Sequence, residues 1–249
     1  MRKLILDRAA PLTVLPSVDS TNDFLRRMAA EGAPDGAVVL SESQSAGRGR
    51  QGRSFTSPEG GLYMSMLFRP ETDAQLFPTL TPAAAVAVCR AIERACSLRC
   101  GIKWPNDVVL GGKKVCGILC ESVLGAAEPC VIVGIGINVN TPSFPPELEK
   151  IAGSLREVRG ESLDIAALAE TLVAELDAVY SGWLEDPFFA AGEYRRRCVS
   201  CGRDVLVGDK AGFAQSVGDD YSLLVAYPDG SFECVRFGEV SVRGLYGYV

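Results

Sequence analysis

The chain contains no histidine at all. Histidine is the side chain most often used as a base near neutral pH and is a common metal ligand. Its absence excludes Ser-His and Cys-His nucleophile systems as well as histidine metal sites. Any catalysis by this chain must therefore depend on positioning and electrostatics, with carboxylates, lysines or arginines as the charged groups.

Long apolar runs and excess positive charge are also missing from the sequence. No apolar stretch approaches the length expected of a bilayer-spanning helix, and the short N-terminal run is broken by Asp7 and Arg8. The net charge of −6 and the pI of about 4.9 disfavour a broad surface for duplex DNA. We expect a cytoplasmic protein that binds small anions or another protein, with no DNA and no membrane as partner.

The nine cysteines are odd in number and lie mostly in apolar segments. This pattern favours reduced, buried thiols over a disulfide framework. Cys198 and Cys201 form a single C-x-x-C, and without a second such pair a zinc or redox site there has little support from sequence.

The hydrophobic pattern predicts an α/β (α+β) fold in which a sheet is packed by helices. Helices are predicted at about Thr21–Glu31, Thr81–Cys96, Ile165–Leu184 and Phe188–Arg197, and strands within 4–15, 37–43, 61–68, 108–110, 115–121 and 130–140. After Cys198 the chain changes to short alternating runs separated by turns, which indicates a small all-β module. The expected domains are residues 1–197 and 198–249, and the strand order does not follow from the sequence.

The segment Gln44–Arg53 reads Q-S-A-G-R-G-R-Q-G-R, and we call it the Arg-Gly loop. Glycine permits close backbone approach to a ligand, and each guanidinium offers a fork of donors suited to phosphate or carboxylate oxygens. The spacing matches neither a Walker loop nor G-x-G-x-x-G. The pattern predicts an anion-binding loop of another kind, with a solvated basic turn as the alternative.

Four further segments accompany the Arg-Gly loop in a fixed order. They are S-T-N at 20–22, K-W-P-N-D at 103–107, K-K-V-C-G-I-L at 113–119 and G-I-G-I-N at 134–138. Together these motifs closely resemble those of the biotin protein ligases, over nearly the whole chain. The resemblance implies a mixed sheet with helices as the catalytic domain, followed by a small SH3-like β barrel.

The resemblance also implies a reaction in two steps. The biotin carboxylate attacks the α-phosphorus of ATP, giving biotinyl-5′-adenylate and pyrophosphate, and a lysine of a biotin carboxyl carrier domain then attacks the adenylate. The first step brings two anions together, so it calls for protein cations and Mg²⁺. The acceptor lysine is itself the nucleophile, which suits a chain without histidine.

Each motif residue receives an expected role from the same resemblance. The catalytic cations are Arg48, Arg50 and Lys114. The biotin site comprises Ser20, Thr21, Asn22, Gln44, Arg48, Gly49, Arg50, Lys114, Gly117, Gly134 and Gly136. The ATP site comprises Arg48, Arg50, Arg53, Phe55, Asn106, Asp107, Lys114 and Asn138, with Asp107 as the candidate Mg²⁺ ligand.

Simpler structural roles remain open for several of these residues. The S-T-N segment could be only a helix N-cap, Gln44 a polar residue closing a strand, and Asp107 a turn residue. We expect Lys113 to be a solvated charge on the hairpin, and Lys114 could be a second one. The strand glycines could mark a bulge.

The chain departs from the pattern of the family at four positions. Phe55 stands where a tryptophan commonly lies near the adenine, Gln51 replaces an arginine found in many members, and Cys116 and Cys120 occupy positions that are usually small or aliphatic. These changes affect expected affinities more than expected activity, because none removes a group that the chemistry needs.

Three other functions compete with a biotin ligase. They are a lipoate or octanoate ligase or transferase, a catalytically silent biotin-binding module, and a generic nucleotide-binding protein. Some members of the family carry an N-terminal helix-turn-helix domain, and we expect this chain to be a ligase without repressor function. The sequence leaves open whether it is a monomer or a homodimer.

Overall fold

The larger part of the fold is a mixed sheet of seven strands. The computed structural model describes residues 10–124, 129–236 and 242–244. The strands of this sheet are β1 (Leu12–Leu15), β2 (Val38–Ser41), β3 (Leu62–Phe68), β4 (Gly101–Lys103), β5 (Asp107–Leu110), β6 (Lys113–Val123) and β7 (Cys130–Ile137). They lie in the order β1-β2-β3-β7-β6-β5-β4, with β1 parallel to β2 and the other neighbours antiparallel.

Helices cover both faces of this sheet. They are α1 (Thr21–Ala30), α2 (Leu80–Cys96), α3 (Leu155–Arg159), α4 (Ile165–Glu185) and α5 (Ala191–Arg197). Along β2, Val38 and Leu40 join the large core formed with α2 and α4, whereas Val39 joins a smaller core with Leu25 of α1. The alternation follows from the period of two along a strand, which sends successive side chains to opposite faces.

The C-terminal part is a second, antiparallel sheet, in agreement with the expected SH3-like module. Its strands are β8 (Arg203–Val207), β9 (Lys210–Val217), β10 (Leu223–Ala226), β11 (Phe232–Val235) and β12 (Val242–Gly244), in the order β11-β10-β9-β8-β12. The Trp104 indole N–H donates to the Tyr221 carbonyl over 2.9 Å. The Tyr194 hydroxyl donates to the Pro105 carbonyl over 3.0 Å. These bonds fasten the K-W-P-N-D segment to α5 and to the second sheet.

Most predicted elements are confirmed within a few residues, and three were missed: β4, α3 and β9. The predicted mixed sheet with helices is confirmed as well. The domain boundary at residue 197 stays a prediction, although α5 ends at Arg197 and β8 begins at Arg203. Parts of the predicted elements at 4–9 and 237–241, and the last residues of the second domain, lie outside the described residues.

One expectation about apolar stretches was wrong. The helical stretch Ala74–Cys96 is long and apolar enough to cross a membrane by length and composition, yet 78% of its most apolar window is buried inside the fold. Its apolar residues pack against α4 and the sheet, as in a core helix.

Candidate active site

The start of α1 is tied to the beginning of the Arg-Gly loop. Ser20 is the N-cap of α1, and its hydroxyl accepts a hydrogen bond from the Asp23 N–H. The Gln44 Oε1 accepts hydrogen bonds from the Thr21 N–H over 2.9 Å and from the Thr21 hydroxyl over 3.1 Å. Capping is therefore a real role of Ser20, and the remaining polar atoms of this corner border a cleft.

Asn22 is buried and lies against the middle strands β3, β7 and β6 of the sheet. Its amide nitrogen donates to Glu121 Oε2 over 2.8 Å, and its Oδ1 accepts from the Ser65 hydroxyl over 2.6 Å. Gly134 makes room for this amide, because a Cβ at that position would come within 2.1 Å of Asn22 Oδ1. The bare face of Gly134 is thus required for the position of Asn22.

The Arg-Gly loop forms a closed hairpin. The Phe55 N–H donates to the Gly47 carbonyl over 2.8 Å, and the Gly49 N–H donates to the Arg53 carbonyl over 2.7 Å. At the tip Gln51 has φ +56°, the left-handed conformation that disfavours residues with a Cβ. Gly47 is enclosed, since a Cβ there would meet the Phe55 carbonyl oxygen at 2.3 Å.

Arg48 is held by carboxylates at the edge of the first cleft. Its guanidinium pairs with Asp23 Oδ1 over 2.5 Å and with Glu121 Oε1 over 2.7 Å, and Arg26 pairs with the same two carboxylates. A ligand anion would have to compete with these carboxylates for Arg48. This network was not predictable from the sequence, because Glu121 lies far along the chain from Asp23, Arg26 and Arg48.

Arg50 points inward from the tip of the loop. Its Nη1 donates to Asn106 Oδ1 over 3.0 Å, and Asn106 Nδ2 donates to the Ile118 carbonyl over 2.8 Å. Burial lowers the pKa of Arg50, and the charge of Asp107 acts in the opposite direction. An arginine remains protonated throughout the physiological range, so this is a partly desolvated cation.

The two lysines of the K-K pair face different surroundings. Lys114 Nζ lies 2.6 Å from Asp107 Oδ1 and 5.6 Å from the centre of the Phe55 ring. Lys113 Nζ instead lies 2.8 Å from the Glu157 carboxylate, which is half exposed. The structure therefore separates Lys114, within the site, from Lys113, outside it.

The Phe55 ring lies on two of the three strand glycines that the resemblance assigns to the biotin site. A Cβ at Gly136 would come within 2.6 Å of this ring, and one at Gly117 within 3.0 Å. The same ring borders both clefts of the site. For biotin to lie on Gly117 and Gly136, the Phe55 side chain would have to move aside.

Two adjoining clefts bring the predicted residues together. The first is lined by Ser20, Thr21, Asn22, Gln44, Arg48, Gly49, Arg50, Phe55, Asn106, Lys114, Gly117, Gly134 and Gly136. The second is lined by Gly49, Arg50, Arg53, Phe55, Lys103, Asn106, Asp107, Lys114, Asn138 and Lys150, among others. Every predicted site residue thus lines at least one cleft, and their individual roles stay predictions.

Positive charge lies at the junction of the clefts, and an unpaired hydrogen-bond acceptor lies in the second cleft. Arg50 and Lys114 line both clefts, so two cations lie where the clefts meet. At the second cleft Asn138 donates to the Gly153 carbonyl over 3.1 Å, while its buried Oδ1 has no hydrogen-bond partner among the described residues. A buried unpaired acceptor is costly unless a ligand or water donor reaches it.

Several residues of the site were missed by the sequence analysis. Ser65 and Glu121 form hydrogen bonds with Asn22 from within strands, and neither was given a role in the site from the sequence. Phe144 and Leu148 line the second cleft from an irregular stretch between β7 and α3. The same stretch reaches Lys114, whose N–H donates to the Ile151 carbonyl over 2.8 Å. Irregular segments carry no periodicity, so only the fold reveals their position.

Comparison with known proteins identifies the family. The model of the biotin/lipoate A/B protein ligase family matches residues 14–138. The bifunctional ligase/repressor BirA of Bacillus spizizenii is 41% identical over 177 residues, which are 69% of this chain and 54% of that protein. The chain thus matches about half the length of this relative.

Two other relatives are matched over most of their length. The biotin–[acetyl-CoA-carboxylase] ligase of Mycobacterium tuberculosis is 33% identical over 240 residues, covering 92% of this chain and 88% of that protein. The structure of the biotin protein ligase from Aquifex aeolicus in complex with biotin and ATP superposes with a TM-score of 0.83 at 30% identity, covering 94% of this chain and 99% of that one. The chain belongs to the biotin/lipoate A/B protein ligase family and is related within it to the biotin protein ligases.

Proposed function

We propose that the chain is a biotin protein ligase that activates biotin with ATP to biotinyl-5′-adenylate and transfers the biotinyl group to a lysine of a biotin carboxyl carrier domain. The observation that carries the proposal is the junction of the two clefts, because Arg50 and Lys114 line both. A reaction that joins two separately bound anions requires cations at such a junction. The similar Aquifex structure is described as a complex with biotin and ATP.

The first cleft has the chemistry to bind the ureido end of biotin. Buried hydroxyl and amide groups of Ser20, Thr21 and Asn22 meet there, beside Gln44. Such groups both donate and accept hydrogen bonds, as a ureido carbonyl with two N–H groups requires. A dithiolane or a plain acyl chain has no groups that could form hydrogen bonds with these side chains, which favours biotin over lipoate and octanoate.

The second cleft suits ATP. Its cations include Arg53, Lys103 and Lys150, and Asn138 Oδ1 provides an unpaired acceptor for an adenine amino group. The apolar side chains of Phe55 and Phe144 border the same space, where a base could pack.

Magnesium would enter with the nucleotide. In the described part of the chain no group of three or more His, Cys, Asp or Glu is placed to hold a metal ion. Mg²⁺ commonly keeps several waters and is held by one or two carboxylates together with substrate phosphates. Asp107 borders the second cleft and fits as that carboxylate, although Lys114 lies 2.6 Å from it. The ion would neutralise phosphate charge during adenylation.

The chain's own residues would act by holding and neutralising charge. Arg50 and Lys114 would draw the biotin carboxylate and the α-phosphate together and stabilise the charge that develops between them. The Arg-Gly hairpin would close over the adenylate and exclude water from it. Arg48 would add a third positive charge beside Arg50 and Lys114 if it exchanged one of its carboxylate partners for a ligand oxygen.

Other expectations about the protein's surroundings remain proposals. Nine free cysteines, six of them buried, suit a reducing compartment such as the cytoplasm. The net charge of −6 argues against a DNA partner. The acceptor would be a carboxylase carrier domain, and the protein would act as a monomer or a homodimer.

The proposal is tested by measuring transfer directly. The purified chain is incubated with ATP, Mg²⁺ and a carrier domain, together with biotin, lipoate or octanoate, and the mass of the carrier is determined. The proposal expects one biotinyl group on one lysine, formed only with ATP. Transfer of lipoate or octanoate instead would assign the chain to the other branch of the family, and biotin binding without transfer would indicate a silent module.

A further inference from the structure

The C-x-x-C formed by Cys198 and Cys201 lies in the turn between α5 and β8. Cys198 is the C-cap of α5 and is buried, whereas Cys201 is half-buried. Residues 199–202 form a turn that directly follows Cys198. The first and fourth Cα atoms of a tight turn lie within about 7 Å, which overlaps the span of a disulfide. This turn therefore places two thiols where they could be joined.

The chemical character of this pair differs from that of the buried cysteines. Hydrogen bonds from the Cys201 thiol, and from backbone N–H groups of Ser200 and Cys201, lower the pKa of Cys198 to about 7. Burial instead raises the pKa of Cys89, Cys96, Cys100, Cys116, Cys120 and Cys130. The thiolate is the reactive form of cysteine, so Cys198 has the greater reactivity near neutral pH.

A structural zinc site is the other common use of a C-x-x-C. Such a site requires four ligands in tetrahedral geometry. The residues that the structure describes offer no group of three or more His, Cys, Asp or Glu able to hold a metal, here or elsewhere. All nine cysteines lie within the described residues. The pair is therefore better explained by redox chemistry than by metal binding.

The turn is in direct contact with the segment that borders the second cleft. The Ser200 hydroxyl accepts a hydrogen bond from the Trp104 N–H over 3.0 Å, and the Val199 N–H donates to the Ile102 carbonyl over 2.9 Å. Asn106 and Asp107 follow Trp104 and line the second cleft. A change in the shape of the turn would be transmitted to those residues through Ser200 and Trp104.

We propose that Cys198 and Cys201 are a redox-active dithiol that a hydroperoxide oxidises to an intramolecular disulfide, and that this oxidation weakens nucleotide binding in the second cleft. The Cys198 thiolate attacks the terminal oxygen of the hydroperoxide and the O–O bond breaks, giving a sulfenic acid. The departing oxygen takes up the proton that the thiol released and leaves as water from hydrogen peroxide, or as an alcohol from an organic hydroperoxide. The Cys201 thiol then attacks the sulfenic sulfur, the S–O bond breaks and water leaves. The two thiols lose two electrons and the peroxide gains them.

The first experiment locates the disulfide. The full chain is treated with one equivalent of hydrogen peroxide, the remaining thiols are alkylated, and peptides are mapped by mass spectrometry. The expected result is a Cys198–Cys201 disulfide that forms before any other cysteine changes. The control variant Cys234→Ser, which removes an exposed cysteine, should form the same Cys198–Cys201 disulfide first. Modification of other cysteines while this pair stays reduced would overturn the proposal.

The second experiment measures the effect on ATP, and this part rests on the proposed function. The dissociation constant for ATP is determined by calorimetry for the reduced, oxidised and re-reduced chain. Oxidation should raise it about five-fold or more, and a thiol reductant should reverse the change. Cys201→Ser and Cys201→Ala should retain the ATP affinity of the reduced chain after peroxide treatment.

The outcomes separate the two proposals. An unchanged ATP affinity after complete disulfide formation would overturn the coupling while leaving the ligase proposal intact. A reduced chain that does not bind ATP would overturn both the coupling and the proposed nucleotide site.

Discussion

At the scale of single residues, the lysine pair shows best how position determines role. Lys113 and Lys114 are neighbours with the same chemistry, yet Lys114 faces Asp107 and both clefts while Lys113 faces Glu157. Sequence motifs assigned Lys114 to the site and Lys113 to the surface, and the position of each side chain agrees with that assignment. They could not predict the pairing of Lys114 with Asp107, because that contact depends on how β5 and β6 pair.

The lysine pair provides a test with a matched control. We expect Lys114→Met to lower the rate of biotin-dependent adenylation by about 100-fold or more, since a cation at the reacting centre is lost. Lys113→Met removes the same charge from the chain but only an exposed ion pair, so its rate should stay within about two-fold of wild type. Pyrophosphate release at saturating biotin and ATP measures both. Equal losses in the two variants would contradict the assignment.

Asn138 supports a second prediction at this scale. Its buried Oδ1 has no partner in the described part of the chain, and it borders the second cleft. Replacement by Leu removes this acceptor and should raise the KM for ATP about ten-fold, because one buried hydrogen bond to a ligand is lost. The KM for biotin should change little. Both KM values are obtained from steady-state kinetics in which ATP and biotin are varied in turn. A rise in the KM for biotin alone would refute the role of Asn138 in ATP binding.

At the scale of elements, the sequence predicts an anion-binding role for the Arg-Gly loop, and that role stays a prediction, whereas the hairpin form of the loop was not predictable. Its glycines and arginines are visible in sequence. The closing hydrogen bond from the Phe55 N–H to the Gly47 carbonyl is not, and neither is the contact of the Phe55 ring with Gly117 and Gly136. The contacts of the Phe55 ring with Gly117 and Gly136 join residues that are distant along the chain. The short strand β4 was missed for a different reason, because a strand of three residues shows too little hydrophobic periodicity to be recognised.

The hairpin can be tested at two of its glycines. A Cβ at Gly47 would meet the Phe55 carbonyl oxygen at 2.3 Å, whereas a Cβ at Gly52 would meet nothing within 4 Å. We expect Gly47→Ala to lower kcat/KM for biotin about 10-fold to 100-fold by displacing the arginines. Gly52→Ala carries the strain of φ +72° at an exposed tip and should have the smaller effect.

The measurement for these variants combines kinetics with thermal unfolding. Both proteins should keep a melting temperature close to that of wild type, since the hairpin lies outside the two cores. A larger kinetic effect for Gly52→Ala than for Gly47→Ala would contradict the hairpin geometry.

At the scale of the whole molecule, the C-terminal module is hydrogen-bonded to the K-W-P-N-D segment of the site. Trp104 is buried, and its indole donates to the Tyr221 carbonyl in the C-terminal module. The sequence indicated an all-β module after Cys198 but gave no indication that it would hold the K-W-P-N-D segment. Such contacts depend on how separate parts of the chain are packed together, which local patterns do not encode.

A pair of tryptophan variants tests this support. Trp104→Phe and Trp183→Phe each remove one buried indole hydrogen bond, to the Tyr221 carbonyl and to the Thr79 hydroxyl respectively. Each should lower the free energy of unfolding by about 1–3 kcal/mol in urea titrations. Only Trp104→Phe should also raise the KM for ATP, because only Trp104 adjoins the second cleft. The same rise in both variants would indicate a general loss of stability instead.

We propose that two adjoining clefts hold biotin and ATP on either side of Arg50 and Lys114. A crystal structure of the chain with a stable analogue of biotinyl-5′-adenylate would test this arrangement. We expect the ureido group beside Ser20–Asn22, the adenine near Asn138, and the Phe55 ring moved away from Gly136. An analogue bound elsewhere, or a Phe55 ring that still covers Gly136 with the first cleft empty, would contradict it.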